Sequence, residues 1–151
     1  MRPAPGIVID TNVLISSLIS PFGESSDILA LIFRKEVVSF TSLEILAEVL
    51  LILTRSGVAD VVPGADTSTL LELFRSHSYI VKPSLRIQAV REDPSDDKFI
   101  ECAVAANAEY LISNDKHVLA LKRYKNIVIL TSRAFLETCR KNEKKKDYFP
   151  L

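Results

Sequence analysis

Cysteine is scarce in this sequence: Cys102 and Cys139 are its only two. Both fall in apolar helical patterns, so they read as reduced core residues of a cytosolic protein. A chain of 151 residues fits one compact domain and needs no disulfide staple. With His77 and His117, the cysteines show no zinc-ligand spacing. Long hydrophobic runs are missing too. None reaches the length of a membrane span, and the opening "MRPAPG" has no apolar signal core, so a cytoplasmic protein that is not secreted is expected. Net charge is also absent, because 19 basic residues balance 19 acidic ones. The chain therefore lacks the basic excess usual in nucleic-acid binders. Local basic runs exist at "KHVLALKRYK" (116–125) and "RKNEKKK" (140–146), and a solvated face and tail are their plainest explanation.

What the sequence does contain is an alternation of strands and helices. Ile7–Ile9 reads as a short buried strand, and Val13, Leu14, Ile15, Leu18 and Ile19 then recur at helical spacing. "SPFGESS" (20–26) is a loop in which Ser25 or Ser26 is a fair helix cap, followed by a helix with Ile28, Leu29, Ile32 and Phe33 as its stripe. "VVSF" (37–40) is a second strand. "SLEILAEVLLILTRSG" (42–57) is the clearest helix, with Ser42 as cap and Gly57 just past its end. "VVPGAD" (61–66) is a loop and 67–77 a helix. Tyr79–Val81 is a weak strand. "DPSDDKFIECAVAANA" (93–108) begins with an Asp cap and Pro94 at the first helical position. "YLIS" (110–113) and "IVIL" (127–130) are strands, separated by a short helix over 116–123, and 132–141 is a final helix. Continuous apolar strands alternating with helices predict an α/β fold: a mostly parallel sheet of about four to five strands, covered on both faces.

In such a sheet, sites lie at the carboxyl ends of the strands. Asp10 ends the first strand. Asp115 follows two residues after Ser113, and Asp96 and Asp97 open the helix that leads into that same strand. These acids can meet at one edge, and Glu48, inside the most apolar helix, is a fourth candidate. Convergent carboxylates repel and are costly when buried unpaired. Mg²⁺ or Mn²⁺ suits them: hard ions that take oxygen ligands and support phosphodiester hydrolysis. Each acid also has a plainer role. Asp10 and Asp115 are good caps, "DPSDD" is an ordinary helix start favoured by the helix dipole, and Glu48 shares the polar face of its helix with Glu44. At about 100° per residue, the wheel puts Asp96 nearer the core stripe than Asp97, and periodicity does not choose between them.

The combination "IVIDTNVLIS", "EILAEVL" and "DPSDDKFIECAVAANAEYLISND" resembles the PIN-domain nucleases, over roughly Ile7 to Leu130. The late segment resembles the branch containing VapC-like toxin components of toxin–antitoxin pairs. The resemblance implies a PIN-like α/β/α sandwich and a metal-dependent endoribonuclease, with a metal-activated water hydrolysing RNA to leave 5′-phosphate and 3′-hydroxyl ends. It maps the acidic set onto Asp10, Glu48, Asp97 and Asp115, as holders of one or two Mg²⁺ or Mn²⁺ ions. The family spacing to Asp115 selects Asp97 over Asp96. Asn12 and Ser113 become supporting residues, with Thr11 part of the turn that holds Asp10. Lys98 and Lys116 flank the proposed site and are candidate phosphate contacts. The resemblance further implies a homodimer, with an interface expected from the helices at 28–33 and 42–53, and an antitoxin protein as partner.

Other enzyme classes fit less well. A haloacid-dehalogenase-like phosphatase needs a second Asp two positions after the first, where this chain has Asn12. A response-receiver domain needs an Asp after a middle strand, and "VVSFTS" has none. The competing expectation is a PIN fold with weak or no catalysis, acting as a binding component in RNA processing. The balanced charge favours it, and the complete acidic set opposes it.

Overall fold

Strand β1 (Gly6–Ile9) leads through Asp10 into helix α1 (Thr11–Ile19), and helix α2 (Glu24–Phe33) follows. Strand β2 (Val38–Thr41), helix α3 (Leu43–Thr54), helix α4 (Thr67–Ser76) and strand β3 (Ser78–Ile80) come next. A 3₁₀ turn (Pro94–Asp96) opens helix α5 (Asp97–Ala106), which feeds strand β4 (Tyr110–Ile112). The short helix α6 (Lys116–Leu119), strands β5 (Arg123–Tyr124) and β6 (Ile127–Leu130), and helix α7 (Ser132–Asp147) complete the order. This computed structural model describes residues 3–55 and 67–147. The helix stop expected at Gly57 and the loop expected over 61–66 lie outside the described residues.

The strands form one six-stranded sheet in the order β3-β2-β1-β4-β6-β5. Every pairing is parallel except that of β5 with β6. The mostly parallel α/β sheet is thus as expected, with one more strand. That extra strand is the two-residue β5, whose Arg123 was the last residue of the helix expected over 116–123. Lys122 and Lys125 adopt positive φ on either side of it, so the backbone turns sharply where the helix would have continued. Ile7, Val8 and Ile9 are buried in succession, which requires cover on both faces of β1. Gly6 opens this strand because a Cβ there would stand 3.0 Å from the Phe40 ring of β2.

Several helix boundaries differ from the pattern in the sequence. Helix α2 starts at Glu24, with Gly23 in the cap position and no side-chain cap; Ser26 Oγ instead donates to the Ser20 carbonyl. Its stripe of Ile28, Leu29 and Ile32 is buried in the core. Ser42 caps α3, accepting from the Ile45 amide at 3.3 Å. Helix α7 runs on to Asp147 rather than ending near 141. Asn107 ends α5 in the left-handed conformation (φ 51°), which Asn tolerates better than most residues.

The order of strands places a crevice at the carboxyl ends of β1 and β4, where the sheet changes its direction of growth. The central strands that frame it depend on core packing. Leu111 of β4 is fully buried, so Leu111→Ala is expected to cost about 2–5 kcal/mol. The check is a lower urea midpoint at an unchanged slope.

Candidate active site at the sheet edge

Asp10 sits in the crevice and is only 3 % exposed. Its backbone N–H donates to the Ile112 carbonyl at 3.0 Å, which continues the β1–β4 ladder to the edge. Its side chain has two partners. Oδ1 accepts from the Val13 amide at 2.8 Å and caps α1, while Oδ2 accepts from the Ser113 hydroxyl. Asp10 is therefore a cap of α1 whose other oxygen is held by the residue that follows β4. The Ser113 oxygen in turn accepts from the Asp115 amide at 3.1 Å, so one buried hydroxyl links Asp10 to the turn carrying Asp115. Asp115 caps α6, its Oδ1 accepting from the His117 amide at 2.8 Å. Asn114 pins the same turn to the start of α7 through Ser132.

Burial pushes the Asp10 carboxyl up to about 6, against the pull of its two hydrogen bonds, and the charges of Asp115 and Glu48 push the same way. Burial also raises Asp96 to about 6, reinforced by Asp93, Asp115 and Glu48 and opposed by Lys98. Asp93 is held below its ordinary range by the Ser95 hydroxyl. Asp115 and Glu48 thus act electrostatically on both Asp10 and Asp96, from separate elements at one edge.

Asp97 is placed differently. It is buried, and its Oδ1 accepts from the Ala89 amide at 3.0 Å and the Val90 amide at 2.7 Å. One turn later on α5, Glu101 Oε2 accepts from the Ile87 amide at 3.1 Å. These carboxylates hold the extended segment 87–90 against the helix. The helical wheel put Asp96 nearer the core than Asp97, and the structure reverses this. Residues 94–96 form a 3₁₀ turn, so the steps of an α-helix begin only at Asp97. Pro94, read as the first residue of the α-helix, is the signal for that turn, and the Asp93 side chain accepts from Ser95 Oγ rather than capping the helix.

The remaining candidates are spread around the edge. Thr11 is buried, and its Oγ1 has no hydrogen-bond partner among the described residues. Asn12 is exposed, and the groups bonded to Asp10 are Val13 and Ser113. Lys116 is exposed. Lys98, expected beside the site as a phosphate contact, forms an ion pair with Glu48. Among the described residues no three acids stand close enough together to cage a metal ion as their side chains are now paired. The donor set is nonetheless all carboxylate, and Glu48 Oε2 is buried with the Lys98 ammonium as its partner. That chemistry suits a hard divalent cation.

Residues 6–117 match the family model described as PIN domain. MJ1680 of Methanocaldococcus jannaschii is 36% identical over 124 residues, covering 77% of this chain and 74% of the relative. Among solved structures, VapBC2 from Rickettsia felis, bound to a DNA fragment from its promoter, is similar with a TM-score of 0.56 at 17% identity. That likeness covers 82% of this chain and 96% of the other. The PIN domain of T. brucei RRP44 gives 0.51 at 16% identity, covering 94% and 84%. PAE2754 from Pyrobaculum aerophilum gives 0.50 at 14% identity, covering 91% of each chain. At these identities the structural likeness is one of fold.

Two predictions follow from the geometry. In EDTA, the folded Asp10 holds its proton more tightly than the unfolded chain. Its stability penalty is absent below the ordinary value of 3.8, grows up to about pH 6 and is complete above. Stability should therefore fall by about 3 kcal/mol across that window on account of Asp10. Asp10→Asn should remove that component, and an unchanged pH slope of the urea midpoint in the variant would contradict it. Separately, Asp97→Ala leaves two backbone amides without their acceptor and should cost about 2–4 kcal/mol. Faster hydrogen exchange at Ala89 and Val90 is its signature. Asp96→Asn should leave those amides protected.

Proposed function

This chain belongs to the PIN domain family, and we propose that it is a metal-dependent endoribonuclease whose acidic set is Asp10, Glu48, Asp97 and Asp115, with Asp96 beside them. The observation that carries this reading is the buried Asp10 carboxylate at the crevice, tied through the Ser113 hydroxyl to the Asp115 turn. A fold has no structural need to bury a carboxylate there and then crowd it with other acids, because each adds to the cost of the others. Asp97 keeps the place that the family spacing gave it: its Oδ1 accepts from the backbone of segment 87–90, and its Oδ2 is not used by those bonds. Asp96 stands beside this set as a further carboxylate.

Mg²⁺ or Mn²⁺ held by these carboxylates would supply an activated water and stabilise charge in an in-line displacement at phosphorus. The chain's own residues set up the rest. Val13 and Ser113 fix the orientation of both Asp10 oxygens, and Asp115 is fixed as a cap. Ser113 is thus the supporting residue for both acids, and Thr11 adds a buried hydroxyl without a described partner beside them. Asn12 and Lys116, both exposed at this edge, are available to the incoming RNA strand.

Partners follow the same reading. The apolar stripe of α2 is consumed by the core, so the helical pair expected at the dimer interface reduces to α3, which leaves Leu43, Leu50 and Leu51 exposed. That face is our candidate for a homodimer contact. The fold shared with VapBC2 supports a toxin role with an antitoxin protein as partner. Both cysteines are free thiols, and burial pushes Cys102 up to about 12, so it is an inert core residue. That suits a reducing cytoplasm. Among the described residues no helix is long and apolar enough to cross a membrane.

Purified protein should cleave single-stranded RNA in Mn²⁺ and not in EDTA. Asp10→Asn, Glu48→Gln, Asp97→Asn and Asp115→Asn should each lower the rate at least about a hundredfold. RNA binding without cleavage in the wild type would favour the binding-component reading instead.

A further inference from the structure

Lys98 occupies an unusual place for a lysine. It lies in the first turn of α5, and its side chain is only 13% exposed. Lysines are almost never buried unless paired. Its ammonium forms an ion pair with Glu48 Oε2 and donates to the Ser95 carbonyl. It also lies 5.1 Å from the centroid of the Phe99 ring. Asp93 and Asp96 are both within reach of its charge. Glu48 Oε2 is buried and has no well-aligned hydrogen bond among the described residues, so the ammonium meets it as a charge.

We propose that Lys98 is the resident counter-ion of the acidic edge, occupying the Glu48 carboxylate that a divalent cation requires, so that metal binding is an exchange in which the ammonium leaves. This rests on the metal-dependent reading given above. The physical case has two parts. Without a cation, Glu48 would add a bare charge to an edge where Asp10 and Asp96 each already face the charge of Asp115, and a paired ammonium relieves that. Glu48 is also the one of the four acids that a mobile cation holds. Asp10 and Asp115 are held by neutral donors on fixed backbone, which need not move when metal enters. The lysine stem is flexible, and its ammonium is a compact charge that exchanges into water readily. Lys98 therefore sets the metal affinity of the site and the stability of its metal-free state, in opposite directions.

The test uses Lys98→Met, which keeps the stem and removes the charge, with Lys98→Gln as a second neutral variant and Lys98→Arg as the charged control. Mn²⁺ affinity is read by titration against the electron paramagnetic resonance signal of free Mn²⁺. Thermal midpoints are read in EDTA and in saturating Mn²⁺, with far-UV circular dichroism verifying the fold. The neutral variants should bind Mn²⁺ about tenfold more tightly. They should melt lower than wild type in EDTA and gain more from Mn²⁺, whereas Lys98→Arg should stay close to wild type. Folded neutral variants with unchanged or weaker Mn²⁺ affinity overturn the counter-ion role while leaving the metal site standing. If neither wild type nor the neutral variants bind Mn²⁺, the metal-dependent reading falls, and the exchange falls with it.

Discussion

The hydrogen bond from the Ser113 hydroxyl to Asp10 is the contact on which the edge of this sheet depends. Asp10 is taken out of water at the end of a buried strand, and a carboxylate in that position needs donors. The first helix supplies one through its Val13 amide. The second comes from a strand neighbour more than a hundred residues away in sequence. Because the Ser113 oxygen also accepts from the Asp115 amide, the bond fixes the turn after β4 as well as the end of β1. The parallel pairing of β1 with β4 makes this meeting possible, since it brings both strand ends to the same edge.

Charge balance at that edge is local. The chain as a whole is neutral, but the neutrality says little about the crevice, where among the described residues several carboxylates gather around the Lys98 ammonium. The acids divide according to what holds them. Asp10 and Asp115 are anchored by backbone amides and the Ser113 hydroxyl, and Glu48 by Lys98. Burial and the neighbouring acids raise the Asp96 carboxyl, and Lys98 opposes them. Asp97 and Glu101 each give one oxygen to the amides of segment 87–90. Two adjacent aspartates in one motif therefore meet different partners. One faces other carboxylates, and the other serves as an acceptor for a stretch of chain that lacks ladder partners of its own.

The legible parts of the sequence were those governed by local pattern. The buried run Ile7–Ile9, the Ser42 cap of α3 and the apolar stripe of α2 follow from periodicity and capping chemistry, and they recur in the structure with shifts of a few residues. Strand β5 was illegible because its two residues pair only with β6, and the turns around it use positive φ at lysines, which carry no signal for it. The burial order of Asp96 and Asp97 was illegible for a related reason. A wheel drawn at helical spacing assumes that the helix has begun, and Pro94 begins a 3₁₀ turn instead.

By itself the sequence determined the α/β class, the parallel character of the sheet and the arrival of Asp10 and Asp115 near one edge. Those follow from the alternation of apolar strands with amphipathic helices, and such alternation leaves few ways to bury both kinds of element. Only the tertiary structure decided what each carboxylate faces. Orientation at a helix start depends on the turn geometry that precedes it, and a partner such as Ser113 or Lys98 is chosen by distance in space. Asp97 turned to the amides of residues 89 and 90, and Lys98 to Glu48, because folding brought those groups within reach.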